Sequence, residues 1–401
     1  MKMEEWNEYR LGDYCDFQNG YAFKSSEFKT NGEYKIVKIK ELKDGLVKFF
    51  DDSASVDVQD IKEFEKYKIY RNDVLFALTG DPVSKPNPLS WVGRVSIYRS
   101  DENALLNQRT CKIKKSERID NKFLYYYFRQ WENFYTLASK ATGSASQANI
   151  STNTIADTII KLPPLPTQQK IAAILSSLDD KIELNNKIND NLEQQAQAIF
   201  KSWFVDFEPF GGEMPIDWKT GFVSEIINLH DSKRIPLSSQ QREKMEKKYP
   251  YYGATSLMDY VDNYIFDGIY LLLGEDGTVI DEKGFPILQY VEGKFWVNNH
   301  AHILTGKNGF SVEMLYLFFS TTNVKDKVTG AVQQKISQTN LNSIKTIIPS
   351  KHICQKFDEL IQLLFSQIRN LNKENQELEN IRNSLLPKLM SGELDVDFVQ
   401  L

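Results

Sequence analysis

Basic and amide side chains form the most distinctive polar clusters of this sequence. Arg and Lys bind phosphate, and Arg, Lys, Asn and Gln are the side chains best suited to hydrogen bonding with the edges of bases. Each cluster is therefore a candidate for a local contact with nucleic acid, although a solvated charged surface is the favoured interpretation of any single cluster. The basic residues selected as candidate DNA contacts are Lys38, Lys40, Arg109, Lys112, Lys233 and Arg234.

Two loops of similar sequence contribute the remaining candidates. Residues 142–147 read TGSASQ and residues 329–334 read TGAVQQ. Small residues allow the backbone to approach phosphate closely, and neighbouring polar side chains then reach bases or backbone. A repeated turn that packs on the scaffold is the alternative. The tripeptides 107–109 and 298–300 are also equivalently placed, and a functional and a structural role stay equally open for them. The candidates from the loops are Ser144, Gln147, Gln333, Gln334 and Lys335.

The sequence lacks the usual signatures of catalysis. It contains no glycine-rich phosphate loop, dinucleotide fingerprint, Asn/Asp-Pro-Pro-aromatic methyltransferase signature or convincing nuclease carboxylate–lysine cluster. We therefore predict no catalytic residue. His300 and His302 could ligate a metal from one strand face, but no Cys or carboxylate is convincingly placed beside them. Packed or surface histidines are favoured, and no metal site is predicted.

Composition and charge describe a globular chain without a strong overall field. Its 401 residues are enough for roughly two to three domains, and 41% hydrophobic with 26% charged residues excludes a disordered chain. The balance of 49 basic against 54 acidic residues gives a net charge of -5. A strongly basic nucleic-acid-binding domain is therefore excluded, and any DNA binding must be local or assisted.

Cysteine usage and hydropathy suggest the compartment. Cys15, Cys111 and Cys354 are odd in number and far apart, which fits neither a disulfide framework nor a metal knuckle and favours a reducing cytoplasm. No stretch is long and apolar enough for a membrane span, and residues 1–6 lack the apolar segment of a secretion signal. We expect a cytoplasmic protein.

The chain repeats itself at a distance of nearly half its length. Ile150-Ser151 returns as Ile336-Ser337, an offset of 336 − 150 = 186 residues. Residues 124–128 return as 315–319, an offset of 315 − 124 = 191. Each half therefore reads as a globular segment, a proline-marked boundary and a helix. The globular segments contain short β-prone runs between turn residues, which predicts mixed α/β bodies. The predicted boundaries are 1–165, 166–210, 211–349 and 350–401, the second and fourth being helical.

The two helices carry a heptad pattern with apolar residues at two positions of seven. The two heptad positions form an apolar stripe, or seam, of about 33 residues on each helix, which is roughly 50 Å long. So narrow a stripe requires a partner helix, and the nearest candidate is the other long helix of the same chain. Pro387 and Gly392 predict an end for the second helix near Ser391. The residues assigned to this coiled coil are Ile171, Leu175, Leu178, Ile182, Asn185, Asn189, Leu192, Phe357, Ile361, Leu364, Ile368, Leu371, Asn375 and Leu378.

The middle of the seam is polar. Asn185, Asn189 and Asn375 occupy core positions, and a buried Asn in a coiled coil specifies register and orientation at a cost in stability. The alternative is a frayed and solvated stretch of helix.

At this point the sequence resembles the specificity subunits of type I restriction-modification systems. The resemblance rests on IIKLPPLPTQQKI at 159–171 before the first helix and LLPKLMSGEL at 385–394 near the end of the second. Leu11-Gly12-Asp13, Gly80 and LGEDG at 273–277 also resemble that family. The resemblance covers the whole chain, and the doubled domain-helix unit makes it specific.

The resemblance implies an α+β fold in which two target-recognition domains are separated by two helices packed as an antiparallel coiled coil, with pseudo-two-fold symmetry. Each domain would read one half of a bipartite site in double-stranded DNA. Two modification subunits and restriction subunits of a prokaryotic complex would supply the adenine methylation and the cleavage. S-adenosylmethionine, ATP and Mg²⁺ would bind those partners, so no cofactor is expected on this chain. Asp179, Asp180, Lys181 and Glu183 lie off the seam and are expected to be free for the modification subunits.

Two functions from other classes stay open at this stage. A coiled-coil scaffold that joins two domains without binding DNA is compatible with the acidic pI of about 5.6. A stand-alone endonuclease is disfavoured by the missing catalytic signatures. Salt-dependent binding to duplex DNA would distinguish the DNA-recognition subunit from the scaffold.

Overall fold

The computed structural model describes residues 6–330 and 333–399, apart from the side chain of residue 398. Met1–Glu5 and two residues of the second repeated loop, Ala331 and Val332, lie outside the described residues. The chain forms two compact units. The first comprises Met1–Glu183 with Asn375–Leu401, and the second comprises Leu184–Glu374. No helix in the described ranges is long and apolar enough to cross a membrane.

The first unit contains fifteen short strands and three short helices among its described residues. A six-stranded sheet has the order β2-β12-β8-β10-β5-β4, and a four-stranded sheet has the order β6-β3-β11-β7. The strands are β1 Asn7–Arg10, β2 Phe17–Asn19, β3 Tyr34–Val37, β4 Leu42–Lys43, β5 Leu46–Val47, β6 Ser55–Val56, β7 Lys68–Ile69, β8 Val74–Ala77, β9 Thr79–Gly80, β10 Val95–Ile97, β11 Ala104–Leu106, β12 Thr110–Ile113, β13 Thr142–Ser144, β14 Gln147–Asn149 and β15 Ile159–Leu162. The helices are α1 Asn121–Arg129, α2 Trp131–Ala138 and α3 Thr152–Ala156.

The second unit is built around one six-stranded sheet with the order β17-β23-β20-β22-β18-β19. Its strands are β16 Lys219–Phe222, β17 Ile227–Leu229, β18 Tyr249–Tyr252, β19 Leu257–Val261, β20 Phe266–Gly274, β21 Asp276–Gly277, β22 Leu288–Val297, β23 Ala301–Gly306, β24 Gln334–Lys335 and β25 Lys345–Ile348. Its short helices are α5 Ser239–Glu243, α6 Val312–Thr321 and α7 Gln338–Asn342. Two long helices, α4 Leu165–Phe204 and α8 Lys351–Ser391, contribute to both units.

The internal repeat is present in the backbone of each unit. The first strand pairs antiparallel with the last strand before the long helix, as β1 with β15 and as β16 with β25. Ser151 and Ser337 each cap a short helix by accepting a hydrogen bond from the backbone N–H three residues later. Those two serines were paired in the sequence repeat, so the repeat corresponds to repeated structure.

The long helices begin and end close to the positions that the sequence indicates, with one difference at the end of the first. Helix α4 ends at Phe204 and not at residue 210, because Phe207 adopts a left-handed φ of 55° and residues from 205 onwards leave the helix. Helix α8 ends at Ser391 as predicted, although Pro387 lies inside the helix. Gly392 then takes a φ of 75°, a conformation that suits a helix C-terminus.

In the first unit, the helices run antiparallel and share a core with the sheet. Ile171 and Leu175 of α4 belong to the same buried cluster as Leu389 of α8 and strand residues such as Phe76. The helical seam is therefore part of the hydrophobic core of this unit.

The same arrangement occurs in the second unit, where aromatic rings join the helices. The ring of Phe357 lies 4.7 Å from that of Phe204 and 5.9 Å from that of Phe200.

Near the middle of α4, Asn185 is fully buried, and its Nδ2 donates a 2.8 Å hydrogen bond to Glu374. Asn185 in the polar centre of the seam is therefore packed inside the protein. This agrees with a buried Asn that specifies the register of the helices and disagrees with a frayed, solvated stretch of helix.

A buried ionic cluster attaches the first sheet domain to the helices. The Asp179 carboxylate accepts a 2.6 Å hydrogen bond from the Tyr126 hydroxyl and a 2.5 Å bond from Arg382 Nη1. Arg99, with only 9% of its side chain exposed, lies 4.0 Å from the same carboxylate. Arg99 also contacts Asp180 and lies 3.4 Å from Glu183.

These contacts correct one expectation from the sequence. Asp179, Asp180 and Glu183 each pair with an arginine of their own unit and are therefore not unpaired carboxylates, although the Asp180 side chain is still 55% exposed. Lys181 also takes part in an interaction within the chain. Helical periodicity showed only that these residues lie off the seam. The arginines that engage the three carboxylates come from distant parts of the chain.

The second sheet domain is attached by an equivalent cluster. Glu313 is 3% exposed and accepts hydrogen bonds from Tyr290 Oη at 2.6 Å and from Arg369 Nη1 at 3.0 Å. The Tyr316 hydroxyl also donates to Glu193 of α4. Burial raises the pKa of Tyr290, and its hydrogen bond to Glu313 raises it further, so this phenol keeps its proton and acts as a donor.

We predict that Phe357→Ala destabilises the second unit by about 3–5 kcal/mol, because it removes a fully buried ring between the helices. Scanning calorimetry should show the transition of this unit at a lower temperature. Leu363→Ala on the same helix is the control, since Leu363 is 69% exposed and its truncation should cost less than about 0.5 kcal/mol. Equal shifts for both variants would contradict the assigned packing.

Candidate nucleic-acid interface

The first unit presents a two-residue turn between β11 and β12. Gln108 and Arg109 form this turn and are exposed, whereas Asn107 before them is buried. The Asn107 carbonyl accepts a 2.9 Å hydrogen bond from the Thr110 N–H, which closes the turn. In the described part of the chain, no carboxylate lies within salt-bridge distance of Arg109. The hydrogen-bonded turn therefore exposes one guanidinium that no carboxylate of the described residues neutralises.

A hairpin lies next to this turn. The repeated loop of the sequence forms β13 and β14, whose tip is exposed, and β14 continues the pairing to Thr79 and Gly80 of β9. Leu78 joins the two features, because its N–H donates to the Arg109 carbonyl and its carbonyl accepts from the Ile150 N–H, both at 2.9 Å. The turn and the hairpin together are termed the first edge.

The second unit contains the same construction. Asn299 and His300 form the turn between β22 and β23, and Asn298 before them is buried. The Glu275 N–H donates to the His300 carbonyl, and the Glu275 carbonyl accepts from the Ile336 N–H, both at 2.8 Å. Glu275 thus takes the place that Leu78 holds in the first unit. Thr329 and Lys335 pair across the second hairpin, and the turn and this hairpin are termed the second edge.

A buried polar network supports the second edge. The Asp231 carboxylate accepts hydrogen bonds from His302 Nδ1 at 2.6 Å, from Gln338 Nε2 at 2.7 Å and from the Ile303 N–H at 2.9 Å. His302 is fully buried, and its Nε2 lies 2.8 Å from the Ile336 carbonyl. The network therefore connects the strand β23 to the base of the hairpin.

The charge of this network is balanced inside the protein. Burial alone would raise the pKa of Asp231, but the hydrogen bonds from His302 and Ile303 and the nearby Arg234 hold that pKa below its ordinary value. Arg234 Nη1 donates to Glu275 at 2.5 Å, and Lys335 Nζ lies 3.2 Å from the other oxygen of Glu275. Asp231 is consequently an acceptor at neutral pH.

Asp231, Glu275 and His302 lie close enough together to suggest a metal centre. Both ring nitrogens of His302 face protein acceptors, the Asp231 carboxylate and the Ile336 carbonyl, so neither is directed at an ion. Arg234 and Lys335 add two cations to the same cluster. The donor set fits an internal ionic network better than a metal.

Two of the basic residues selected from the sequence point inward. Lys112 is 12% exposed and pairs with Asp73 at 3.1 Å, and Arg234 is 13% exposed and pairs with Glu275. Both cations are neutralised within their own domain. The prediction that Lys112 and Arg234 contact DNA is therefore corrected: their role is structural, and the carboxylates that engage them could not be located from the sequence.

The other selected residues lie at or near the surface. Lys38 follows β3 and places its ammonium 3.6 Å from the ring centre of Phe28, and burial lowers the pKa of this lysine. Lys40 is exposed and pairs with Asp52 at 2.8 Å, while Lys233 is exposed beside Arg234. Those on the hairpins are Ser144, Gln147, Gln333, Gln334 and Lys335, of which Gln334 is partly buried and the rest exposed.

The structure adds residues that the sequence analysis did not select. Gln108, Asn299 and His300 lie on the two edges, and Asp276 lies beside the second edge, where its carboxylate accepts a hydrogen bond from His300 Nδ1. The equal placement of 107–109 and 298–300 in the sequence repeat was the signal that could have found three of them. Asp276 has no such signal, since β20 and β23 bring it to His300 only in the fold.

Comparison with known proteins identifies similar sequences along most of the chain. The family described as "Type I restriction modification DNA specificity domain" matches residues 3–194 and 215–380. The MjaIX specificity subunit of a type I restriction enzyme from Methanocaldococcus jannaschii is 28% identical over 337 residues, which is 76% of each chain. The HindI specificity subunit from Haemophilus influenzae is 24% identical over 477 aligned positions, covering 98% of this chain and 100% of that protein.

One solved structure shares the fold. The crystal structure of the S subunit of a type I restriction-modification system from M. genitalium matches with a TM-score of 0.57, at 19% identity and over 96% of each chain. The expected α+β architecture, with two recognition domains and two long antiparallel helices, is confirmed.

We predict that Asp231→Asn destabilises the second unit by about 3 kcal/mol at pH 7, because an amide cannot accept from all the donors around it. A carboxyl group whose folded pKa is lowered stabilises the fold above its unfolded pKa of about 3.9 and loses that effect as the pH falls through the folded value. The difference between wild type and variant should therefore shrink below about pH 4.

Urea unfolding of the wild type and the variant across this pH range measures the effect. Asp262→Asn, at an exposed position of the same unit, is the control and should change little. A stability difference for Asp231→Asn that stays constant down to pH 2 would show that Asp231 is not held as a carboxylate by its donors.

Proposed function

Because the chain belongs to the type I restriction-modification DNA specificity family, we propose that it is the DNA-recognition subunit of a type I restriction-modification complex. The observation that carries this proposal is the pair of edges. The same backbone connections expose Gln108 and Arg109 in the first unit and Asn299 and His300 in the second. Two domains with equivalent backbones and different exposed polar side chains are suited to recognising two different DNA sequences.

The target is a bipartite site in double-stranded DNA, and each edge reads one half of it. The exposed hairpins carry polar and small residues close to the turns. Contacts between these residues and phosphates would fix the position of the protein on the DNA, so that the turns reach the bases. The small net charge of -5 is compatible with this function, because a DNA contact needs only a local cation such as Arg109 and not a strongly basic chain.

The chain itself is non-catalytic in this proposal. Two modification subunits with S-adenosylmethionine perform the adenine methylation, and restriction subunits with ATP and Mg²⁺ perform the cleavage. The residues of this chain select where those reactions occur. The similar proteins come from prokaryotes, and we place the complex in the prokaryotic cytoplasm, where the DNA is accessible.

The direct test is a single-molecule methylation map of DNA from cells that express this chain with its genomically neighbouring methyltransferase. Cells that express the methyltransferase without this chain are the control. We expect a split adenine-methylated motif that is present only with the chain. Active methyltransferase without any chain-dependent motif would overturn the DNA-recognition function and favour the scaffold.

A second prediction concerns Lys335 on the second hairpin. Its Nζ lies 3.2 Å from Glu275, but its side chain is 48% exposed, in contrast to the inward-pointing Lys112 and Arg234. Lys335→Ala should weaken DNA binding by the assembled methyltransferase complex about equally for all sequences. Removal of one phosphate contact should also reduce the slope of log affinity against log salt by about 1. Fluorescence anisotropy over a salt series measures both effects. Lys345→Ala, at an exposed lysine of β25, is the control, and equal slopes for the two variants would exclude Lys335 as a phosphate contact.

A further inference from the structure

The two turns make equivalent backbone hydrogen bonds but carry different side chains. The carbonyl of Arg109 accepts from Leu78, and the carbonyl of His300 accepts from Glu275, so the two residues occupy equivalent places. Both precede the strand that pairs with the central strand of the sheet, β12 with β8 and β23 with β20. A position that is fixed in backbone and varied in side chain is suited to determining specificity.

Hydrogen bonds from Arg234 hold the backbone of the turn in the second unit. Arg234 Nη1 donates to the Ala301 carbonyl at 2.8 Å and lies 3.3 Å from the Asn299 carbonyl, so one guanidinium spans the two residues that flank His300. The Asn298 side chain accepts a 2.8 Å hydrogen bond from the His300 N–H. These contacts limit the movement of the His300 backbone and leave the side chain as the variable part.

Asp276 fixes the orientation of the His300 ring. Its carboxylate can only accept, so the His300 Nδ1 that it contacts carries the hydrogen. The side chain of His300 remains 45% exposed, against 19% for Asp276. In the described residues, no protein group occupies His300 Nε2, which is therefore the atom available to a ligand.

We propose that Arg109 and His300 are corresponding specificity-determining residues, each reading one base pair of its half-site, and that Asp276 is a positioning residue that directs His300 Nε2 toward the DNA. This inference rests on the proposed function and names the reading atoms within it. Arg109 offers only donors, so it reads the acceptors of guanine in the major groove. His300 Nε2 hydrogen-bonds with a base edge through a single contact.

The test compares methylation maps from cells that express the full chain, as wild type or variant, with its methyltransferase. The variants are Arg109→Ala, His300→Ala and Asp276→Asn. His352→Ala is the matched control, because His352 is an exposed histidine at the start of α8 and outside the second edge. The readout is the base preference at each position of the motif, together with the thermal midpoint of each purified chain.

We expect each variant to relax one base position. Arg109→Ala should reduce discrimination about ten-fold at a G·C pair in one half-site, and His300→Ala should relax one position in the other half-site. Asp276→Asn should relax the same position as His300→Ala and no other, which a general loss of stability would not produce. His352→Ala should leave the motif unchanged.

Three results would overturn the inference: an unchanged motif in the folded variants, relaxation of the same half-site by Arg109→Ala and His300→Ala, or an Asp276→Asn effect at a different position. If His300→Ala lowers the thermal midpoint, His300→Gln replaces it in the test, since Gln keeps a polar side chain at the turn. A wild-type chain that directs no split motif would refute the proposed function itself. A wild-type motif with unaltered variants would refute only this inference.

Discussion

Buried ion pairs between each sheet domain and the long helices are the constraint on which the rest of the structure depends. The carboxylate of Asp179 on α4 lies 4.0 Å from Arg99 of the first sheet domain and accepts a hydrogen bond from Tyr126. In the second unit, Glu313 accepts hydrogen bonds from Arg369 of α8 and from Tyr290. Loss of one partner would leave an uncompensated buried charge, which typically costs more than the pair contributes. Each domain is therefore held in one orientation on its own helical segments. A surface that reads DNA needs such an attachment, because base contacts tolerate little displacement.

Within one segment of each domain, inward-pointing side chains stabilise the fold and outward-pointing side chains are available for recognition. Arg234 neutralises Glu275 beneath the second turn, while Lys233 beside it remains exposed. Leu78 in the first unit and Glu275 in the second make the same backbone bonds, yet only Glu275 brings a charge that requires Arg234 and Lys335. The recognition residues can thus differ between the units without altering the connections that position them.

The sequence predicted the long-range organisation better than the site. Heptad periodicity located the helices, and the buried Asn185 and the capping residues Ser151 and Ser337 were found because they belong to repeated local patterns. The end of α4 was misplaced, since the left-handed Phe207 leaves no sequence signal. Charge alone does not reveal a distant carboxylate, so the sequence predicts DNA contacts at Lys112 and Arg234, both of which pair within their own domain. Asp276 became visible only once the fold placed it beside His300.

Photo-crosslinking of the complex of this chain, its methyltransferase and a duplex containing its mapped target tests the central claim most directly. A 5-iodouracil is placed in one half-site at a time, and the crosslinked peptides are identified by mass spectrometry. The account predicts that one half-site crosslinks only to the first edge, at 107–110 or 142–149, and the other only to the second edge, at 298–300 or 329–335. Crosslinks from both half-sites to the same unit, or to surfaces outside both edges, would contradict it.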